Sequence, residues 1–139
     1  MEDFTTFICY ELKMTMKKVE KTFTQILKEY GVNFAQSLIL FCLLEKDGST
    51  LSEIGSRAQI ENSSLTTMVD RLEKDGLVAR RLDPQDRRAI RLFLTKGGKQ
   101  VGEKIFDEGL RFNKLLAENL GESKQSLVKA LSIISASLE

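Results

Sequence analysis

The segment that decides the fold spans residues 49–99 and has the sequence STLSEIGSRAQIENSSLTTMVDRLEKDGLVARRLDPQDRRAIRLFLTKGGK. Its first half contains two short patterns of helical periodicity, joined by a connection of turn length at residues 59–62. Its second half contains two short stretches of apolar and basic residues on either side of an Asp-Pro turn, which is typical of a β-hairpin. The segment therefore predicts the element order helix, turn, helix, hairpin.

The second helix of this segment has two different faces. Its apolar residues fall at i, i+3, i+4 and i+7 and predict a buried side made of Leu65, Met68, Val69 and Leu72. The opposite side collects Ser63, Ser64, Thr66, Thr67, Asp70 and Arg71, and Gly76 is placed to end the helix. Short hydroxyl side chains are poor helix formers, so helix propensity does not explain them. They suit a surface that must approach a partner closely.

The hairpin carries a local excess of positive charge. Apolar Ile90, Leu92 and Leu94 alternate with Arg91 and Phe93, which predicts a strand. Between residues 77 and 100 seven basic residues stand against two acidic ones, a local net charge of +5, whereas the whole chain has a net charge of +1. A local basic patch of this kind attracts phosphate groups.

The flanking residues are predicted to form amphipathic helices. Residues 4–30 place apolar side chains at steps of three and four, and a helix of that length is hard to cover with one small core. Part of its apolar stripe is therefore expected to contact another chain. A helix follows at residues 35–44, and Thr50 with Glu53 form a capping-box pattern. Two further apolar stripes run from residue 101 to the C-terminus, and the N- and C-terminal helices are expected to pack together.

Composition argues against several functional classes. The chain has no histidine, which removes the commonest general base, and its two cysteines lie far apart, which gives no disulfide framework or Cys/His zinc site. No glycine-rich phosphate loop is present. We therefore expect no enzyme activity, no metal site and no cofactor. The absence of a secretory signal pattern and of a membrane-spanning apolar run favours a cytoplasmic protein.

Two helices followed by a basic hairpin is the order of a winged helix-turn-helix. In such a unit the second helix lies in the major groove of double-stranded DNA, so residues 63–71 become the candidate recognition surface. The candidate DNA-binding residues on this helix are Ser63, Ser64, Thr66, Thr67 and Arg71. Serine and threonine can contact either phosphates or bases, and a threonine methyl group can touch a thymine methyl group, so their individual base preference is weak. Arg80, Arg81 and Arg91 are interpreted as phosphate contacts or solvated charges.

Three stretches of the chain resemble the MarR family of transcriptional regulators. They are residues 51–55 (LSEIG), 64–78 (SLTTMVDRLEKDGLV) and 83–98 (DPQDRRAIRLFLTKGG), and the Asp-Arg-Arg turn followed by Leu-Thr and glycine is the most specific of them. The resemblance implies a mainly α fold, a winged helix-turn-helix with a small β-hairpin wing, flanked by N- and C-terminal dimerisation helices. Residues 1–139 would form one domain, with residues 1–34 and 101–139 as the dimerisation region and residues 35–100 as the DNA-binding region.

The resemblance also implies a function. A homodimer would bind a near-palindromic operator, with half-sites about 34 Å apart, and would act as a regulator, most often a repressor. Arg87 at the wing tip would enter the minor groove, Arg88 would contribute to DNA binding, and Asp86 would hold the loop by pairing with Arg88. A small aromatic or other apolar effector would bind near the junction of the dimerisation helices and the winged module and release the DNA.

Two alternatives remain open. Cys9 aligns with the reactive cysteine of the organic-hydroperoxide-sensing branch of the family, but the positions of its supporting tyrosines hold Lys13, Phe23 and Phe34 here, with Tyr10 and Lys13 as partial substitutes. The other interpretation of Cys9 is a cysteine in the dimer interface. Separately, the winged helix could be a protein-interaction module without DNA binding, although an apolar patch in place of the basic hairpin would then be expected.

Overall fold

The computed structural model describes all residues from 1 to 139 and consists of six α-helices and one two-stranded sheet. The elements are α1 (Ile8–Leu27), α2 (Phe34–Glu45), α3 (Leu51–Ala58), α4 (Asn62–Lys74), β1 (Val78–Leu82), β2 (Ile90–Leu94), α5 (Lys96–Leu120) and α6 (Ser123–Ser137). The predicted mainly helical fold with a small hairpin is confirmed. None of the helices combines the length and the apolar character needed to cross a membrane.

The first predicted helix is shorter than expected. Residues 4–6 form a single 3-10 turn, in which the Asp3 carboxylate accepts from the backbone N–H of Thr5. Phe7 is extended, and the α-helix begins only at Ile8. A second 3-10 turn, Lys28–Tyr30, leads into Gly31, whose φ of 73° ends the helix as predicted.

Local capping interactions set the limits of the central helices. The predicted capping box of α3 is present, because Thr50 Oγ1 accepts from the backbone N–H of Glu53 and Glu53 Oε1 accepts from the backbone N–H of Thr50. An equivalent box made by Asn33 and Gln36 begins α2. Both boxes satisfy backbone donors that a helix would otherwise leave unpaired.

The chain divides into two compact units, residues 1–108 and residues 109–139. The core of the first unit is built by fully buried side chains from α1 to α5: Leu27, Ile39, Leu40, Leu43, Ile54, Leu65, Val69, Leu72, Leu92 and Ile105. In α1 only Phe23 and Leu27 are buried, whereas the N-terminal part of the predicted stripe, including Ile8, Leu12 and Met16, is exposed.

The second unit has little core of its own. Helix α6 contains no buried residue. Large apolar side chains are exposed along it and at the residue that follows it: Leu127, Val128, Leu131, Ile133 and Leu138. In an isolated chain this leaves a row of apolar surface in contact with water, which is unfavourable.

The hairpin has an additional backbone partner, which local sequence patterns do not reveal. Strand β1 pairs antiparallel with β2, with Arg80 opposite Leu92. On the other edge of β2, Thr50 forms an isolated bridge with Arg91, and the backbone N–H of Leu92 donates to Ser49 O at 2.9 Å. The residues that precede α3 are therefore attached directly to the wing.

Helix α5 begins close to the backbone of Leu77. Thr95 Oγ1 accepts from the backbone N–H of Gly98 at 2.9 Å and donates to Gly76 O at 2.6 Å, so Thr95 caps α5 and also ties it to the end of α4. A Cβ atom at Gly98 would lie 1.8 Å from Leu77 O. Glycine at this position is required for the close approach.

Candidate nucleic-acid interface

The turn between α3 and α4 brings the two helices into contact. Helix α3 ends at Ala58, and the next residue, Gln59, has a positive φ of 57°. The backbone N–H of Ile60 donates to Gly55 O at 3.0 Å. A Cβ atom at Gly55 would lie 3.1 Å from Ile60 O, so a small residue is needed where the chain turns back. This local geometry orients α4 relative to α3.

Helix α4 separates a buried side from an exposed polar side. Leu65, Val69 and Leu72 are buried, and Met68 is half-buried. The exposed side opposite them carries Ser63, Thr67, Asp70 and Lys74, whose spacing of i, i+4, i+7 and i+11 places them on one line along the helix. Ser64, Thr66 and Arg71 are also exposed. Lys74 was not among the predicted DNA-binding residues, although its spacing from Ser63, Thr67 and Asp70 could have identified it.

Two of the candidate hydroxyl groups are bonded to their own helix. Thr66 Oγ1 donates to Asn62 O at 3.0 Å, and Thr67 Oγ1 donates to Ser63 O at 3.4 Å. These are the hydrogen bonds that threonine makes to the carbonyl four residues earlier.

Arg80 connects the wing to α4. It forms an ion pair with Asp70 and lies 3.7 Å from Glu73, measured from Nε to Oε1. Only 27% of its side chain is exposed, and its Nε atom is buried without a hydrogen-bond acceptor. Arg71 donates from Nε to Asp75 Oδ2 at 3.1 Å, an exposed pair within one turn of the same helix. The guanidinium groups of both arginines are therefore engaged within the chain.

Arg91 occupies the centre of a second network at the base of the wing. Its Nε donates to Asp83 Oδ2 at 2.9 Å, and its Nη1 donates to Gly48 O at 2.8 Å. The pKa of Asp83 is lowered, first by the hydrogen bond from the backbone N–H of Gln85 and then by the hydrogen bond from Arg91. Both bonds favour the charged carboxylate.

Glu53 links the cap of α3 to the same network. Its carboxylate pairs with Lys46 and lies 3.9 Å from Nη1 of Arg91. The hydrogen bond from Lys46 and the backbone N–H of Thr50 lower the pKa of Glu53 from 4.5 to about 2. Glu53 is therefore charged across the whole physiological pH range.

The tip of the wing exposes two arginines. Arg87 and Arg88 are exposed between the strands. Asp86 holds the turn, but its Oδ1 accepts from the backbone N–H of Arg88 at 3.0 Å, so the expected pairing does not involve the Arg88 guanidinium. An Asx-type bond of this kind stabilises the turn and leaves the side chain of Arg88 directed outward. Farther down, the guanidinium carbon of Arg81 lies 5.1 Å from the centre of the Phe93 ring, within the range of a cation–π contact.

An open cleft of about 810 Å³ lies between the end of α1, the start of α2 and the exposed side of α4. Its walls include Lys28, Val32, Gln36, Met68, Arg71 and Lys74. The cleft thus combines apolar surface with three basic side chains, two of which belong to α4.

The two cysteines have different environments. Cys9 is exposed near the start of α1, whereas Cys42 is buried, and burial followed by the nearby charge of Glu45 raises the pKa of its thiol. Phe23 and Phe34, at two of the positions discussed for peroxide sensing, stack edge to face with ring centres 5.9 Å apart and have no hydroxyl group to offer. Tyr10 packs against Phe4. No group of three or more His, Cys, Asp or Glu side chains is arranged to hold a metal ion.

Comparison with known proteins identifies the family. The family model described as the MarR family matches residues 32–90, which contain α2, α3, α4 and the first strand of the wing. This match confirms the predicted resemblance to the MarR family over residues 32–90. Members of this family are transcriptional regulators, and the chain is 26% identical over 128 residues to the HTH-type transcriptional regulator SarZ of Staphylococcus epidermidis, covering 87% of this chain and 86% of that protein. It is also 26% identical over 130 residues to the organic hydroperoxide resistance transcriptional regulator of Bacillus subtilis, covering 91% of this chain and 88% of the relative.

Solved structures of MarR-family proteins share the fold over nearly the whole chain. The transcriptional repressor CouR, bound to a 23-mer DNA duplex, superposes with a TM-score of 0.85 at 26% sequence identity, over 97% of this chain and 99% of that one. The MepR–DNA complex from S. aureus superposes with a TM-score of 0.84 at 23% identity, over 99% of this chain, and supports the fold alone.

Proposed function

We propose that this MarR-family regulator binds double-stranded DNA as a homodimer, with α4 in the major groove and the wing in the minor groove. The observation that carries the proposal is the exposed polar side of α4 beside a hairpin whose tip exposes Arg87 and Arg88. A helix of this kind fits the major groove, and exposed arginines suit a narrow minor groove with high negative potential. The similar repressor CouR is bound to a 23-mer DNA duplex, which supports binding of DNA by a protein of this fold.

The proposed interface divides the candidate residues into two groups. Direct DNA contacts are assigned to Ser63, Ser64, Thr66, Thr67, Arg81, Arg87 and Arg88, with Arg71 as a contact that must first loosen its pair with Asp75. Arg80 and Arg91 are assigned a positioning role, because their guanidinium groups already bind Asp70 and Asp83 within the chain. Asp86 stabilises the turn at the wing tip.

The proposed dimer is supported by the exposed apolar residues of both chain ends. Phe4, Phe7 and Ile8 are exposed at the N-terminus, and a row of apolar residues is exposed along α6. Residues 1–34 and 101–139 form the proposed dimerisation region, and residues 35–100 form the proposed DNA-binding region. Covering apolar surface in this way is a major driving force for association.

A selection of genomic fragments by the full-length protein, followed by binding measurements at increasing salt, tests the DNA-binding proposal. We expect a fragment with two half-sites and an affinity that falls about 10³-fold or more between 50 and 200 mM salt if six or more phosphates are contacted. Recovery of no fragment, or an affinity that is independent of salt, contradicts the proposal. Sedimentation of the free protein separately tests the dimer.

The regulating ligand is proposed to be a small aromatic or other apolar molecule that binds in the cleft between α1, α2 and α4. The cleft wall includes Arg71 and Lys74, so an occupant would alter the same helix that faces DNA. A coupling of about 1–3 kcal/mol would be sufficient for a useful switch. Compounds that raise the melting temperature should also release the selected DNA, and Lys28→Ala should weaken this response while DNA binding without ligand is retained. Release by such a compound that is unchanged in Lys28→Ala contradicts this location.

A second candidate regulation is thiol oxidation at Cys9. It is favoured by the exposure of Cys9 and by similarity to the B. subtilis organic hydroperoxide regulator. Cumene hydroperoxide should then release DNA from the wild-type protein and not from Cys9→Ser. An equal response of the two proteins, or no response of the wild type, rejects this candidate.

A further inference from the structure

The two threonines on the exposed side of α4 have already used their hydroxyl protons. Thr66 Oγ1 donates to Asn62 O, and Thr67 Oγ1 donates to Ser63 O. A hydroxyl group has one proton to donate and two lone pairs that accept. What each threonine still offers to a partner is therefore a methyl group and an acceptor oxygen, and not a hydrogen-bond donor.

This chemistry favours one base over the others. Guanine presents two acceptors in the major groove, which a side chain without a free proton cannot satisfy. Thymine presents the only methyl group in the groove, and its partner adenine presents an amino donor that a threonine oxygen can accept. A T·A pair matches both the methyl group and the acceptor of such a threonine.

The neighbouring charged groups on α4 do not override this preference. The carboxylate of Asp70 is paired with Arg80, and the guanidinium of Arg71 is paired with Asp75. Thr66 and Thr67 are both exposed, in the N-terminal part of the helix, where a recognition helix contacts base edges. Apolar contact is therefore the main interaction with bases that remains available to the exposed side chains in the second turn of α4.

We propose that Thr66 and Thr67 select thymine in each half-site by contact of their methyl groups with the C5 methyl group of the base. The inference rests on the proposed binding of DNA through α4 and deepens it by naming the base and the atoms that are recognised. Serine and threonine in general are expected to show only a weak base preference. A stronger preference is expected here because the hydroxyl protons of Thr66 and Thr67 are engaged within the helix.

The test uses the full-length protein and a genomic fragment that it selects. Each thymine of the protected half-sites is replaced singly by deoxyuridine, which lacks only the C5 methyl group, and affinity is measured by fluorescence anisotropy at one fixed salt concentration. Loss of one buried methyl contact should weaken binding of the wild-type protein about fourfold at one or more thymines.

Two matched pairs of variants test whether the threonine methyl groups make this contact. Thr66→Ser and Thr67→Ser keep the hydroxyl group and lose the methyl group, so at least one of them should bind the thymine fragment about fourfold more weakly and no longer distinguish thymine from deoxyuridine. Thr66→Val and Thr67→Val keep a methyl group at the same branch and should retain the distinction. Circular dichroism checks that the variants keep their helix content. We expect no change, because both positions are exposed and outside the core.

The inference is overturned if no replacement of thymine changes the affinity by more than about twofold, a difference well below the value of one methyl group. It is also overturned if, at every thymine to which the wild type is sensitive, both serine variants still distinguish the two bases, or if both valine variants lose the distinction there. If the protein selects no fragment at all, the proposed DNA binding is itself wrong, and this inference fails with it. That result differs from binding of DNA without recognition of the thymine methyl group.

Discussion

Arg91 donates from Nε to the Oδ2 atom of Asp83 at 2.9 Å, and this pair joins residues of the two sides of the wing near the base of its turn. The same guanidinium donates from Nη1 to Gly48 O at 2.8 Å, so it also binds the segment that leads into α3. The side chain of Asp83 is only 13% exposed, and that of Arg91 is 34% exposed. Arg91, which the sequence alone presents as a surface residue, therefore connects the hairpin to the helix-turn-helix.

Replacement of Arg91 by alanine should lower the free energy of unfolding by about 1–3 kcal/mol, because the mostly buried Asp83 carboxylate would lose its charged partner. Urea denaturation measures this change. The control is Arg87→Ala at the exposed wing tip, which should change stability by less than about 0.5 kcal/mol. Equal stability of the two variants would show that the Arg91 network contributes nothing to folding.

The same Arg87→Ala variant should weaken binding to a selected DNA fragment and reduce the slope of log affinity against log salt by about 1 if Arg87 neutralises one phosphate. Lys129→Ala, which removes one positive charge from α6, provides the matched control and should retain the wild-type slope. Both proteins should remain dimers in sedimentation experiments. If Arg87→Ala binds as tightly as the wild type, the assignment of the wing tip to DNA is wrong.

Two adjacent glycines at the start of α5 should respond differently to alanine. A Cβ atom at Gly98 would lie 1.8 Å from Leu77 O, whereas the nearest atom to a Cβ at Gly97 is Thr95 Oγ1 at 3.8 Å. Gly98→Ala should therefore destabilise the protein by about 1–3 kcal/mol through forced backbone shifts. Gly97→Ala should be neutral or should stabilise it by up to about 1 kcal/mol. Melting temperatures of the two variants check this, and similar values would contradict the close packing of Leu77 on α5.

Stability should fall in acid partly through Glu53. Its pKa is lowered from 4.5 to about 2 in the folded protein, mainly by the hydrogen bond from Lys46. A carboxylate whose folded pKa is depressed contributes stability above its unfolded pKa and loses that contribution as the pH falls through the window toward the folded value.

Glu53→Gln keeps a side-chain oxygen for the capping box but cannot titrate, which isolates this contribution. The excess stability of the wild type over the variant should be complete at pH 6 and should decrease from about pH 5 toward pH 2. Urea midpoints measured across this range provide the comparison. A difference that stays constant with pH would mean that the charge of Glu53 does not stabilise the fold.

Local patterns predicted the central elements well. The alternation of apolar residues in β2, the buried stripe of α4 and the capping box of α3 all depend on residues close together in sequence, and all are present in the structure. The start of α1 was less well predicted, because a 3-10 turn capped by Asp3 and the extended Phe7 precede the helix. Apolar periodicity continues through that interruption and does not reveal it.

The candidate DNA-binding residues were likewise predicted only in part. The sequence placed Ser63, Thr67 and Arg87 on exposed positions without needing distant contacts. It could not separate Arg87 from Arg80 and Arg91, which have the same charge and lie in the same hairpin. That distinction depends on Asp70 of α4 and Gly48 before α3, residues that are 10 and 43 positions away along the chain.

By itself, the sequence determined the order of elements, the polar side of α4, the basic character of the hairpin and the resemblance to the MarR family, because each of these depends on residue type and local spacing. Only the tertiary structure decided which arginines remain directed outward, how the residues before α3 join the wing, and why Gly98 must be glycine. These features depend on hydrogen bonds and close backbone contacts between elements that are separated along the chain. Such contacts exist only after the core has packed the elements together.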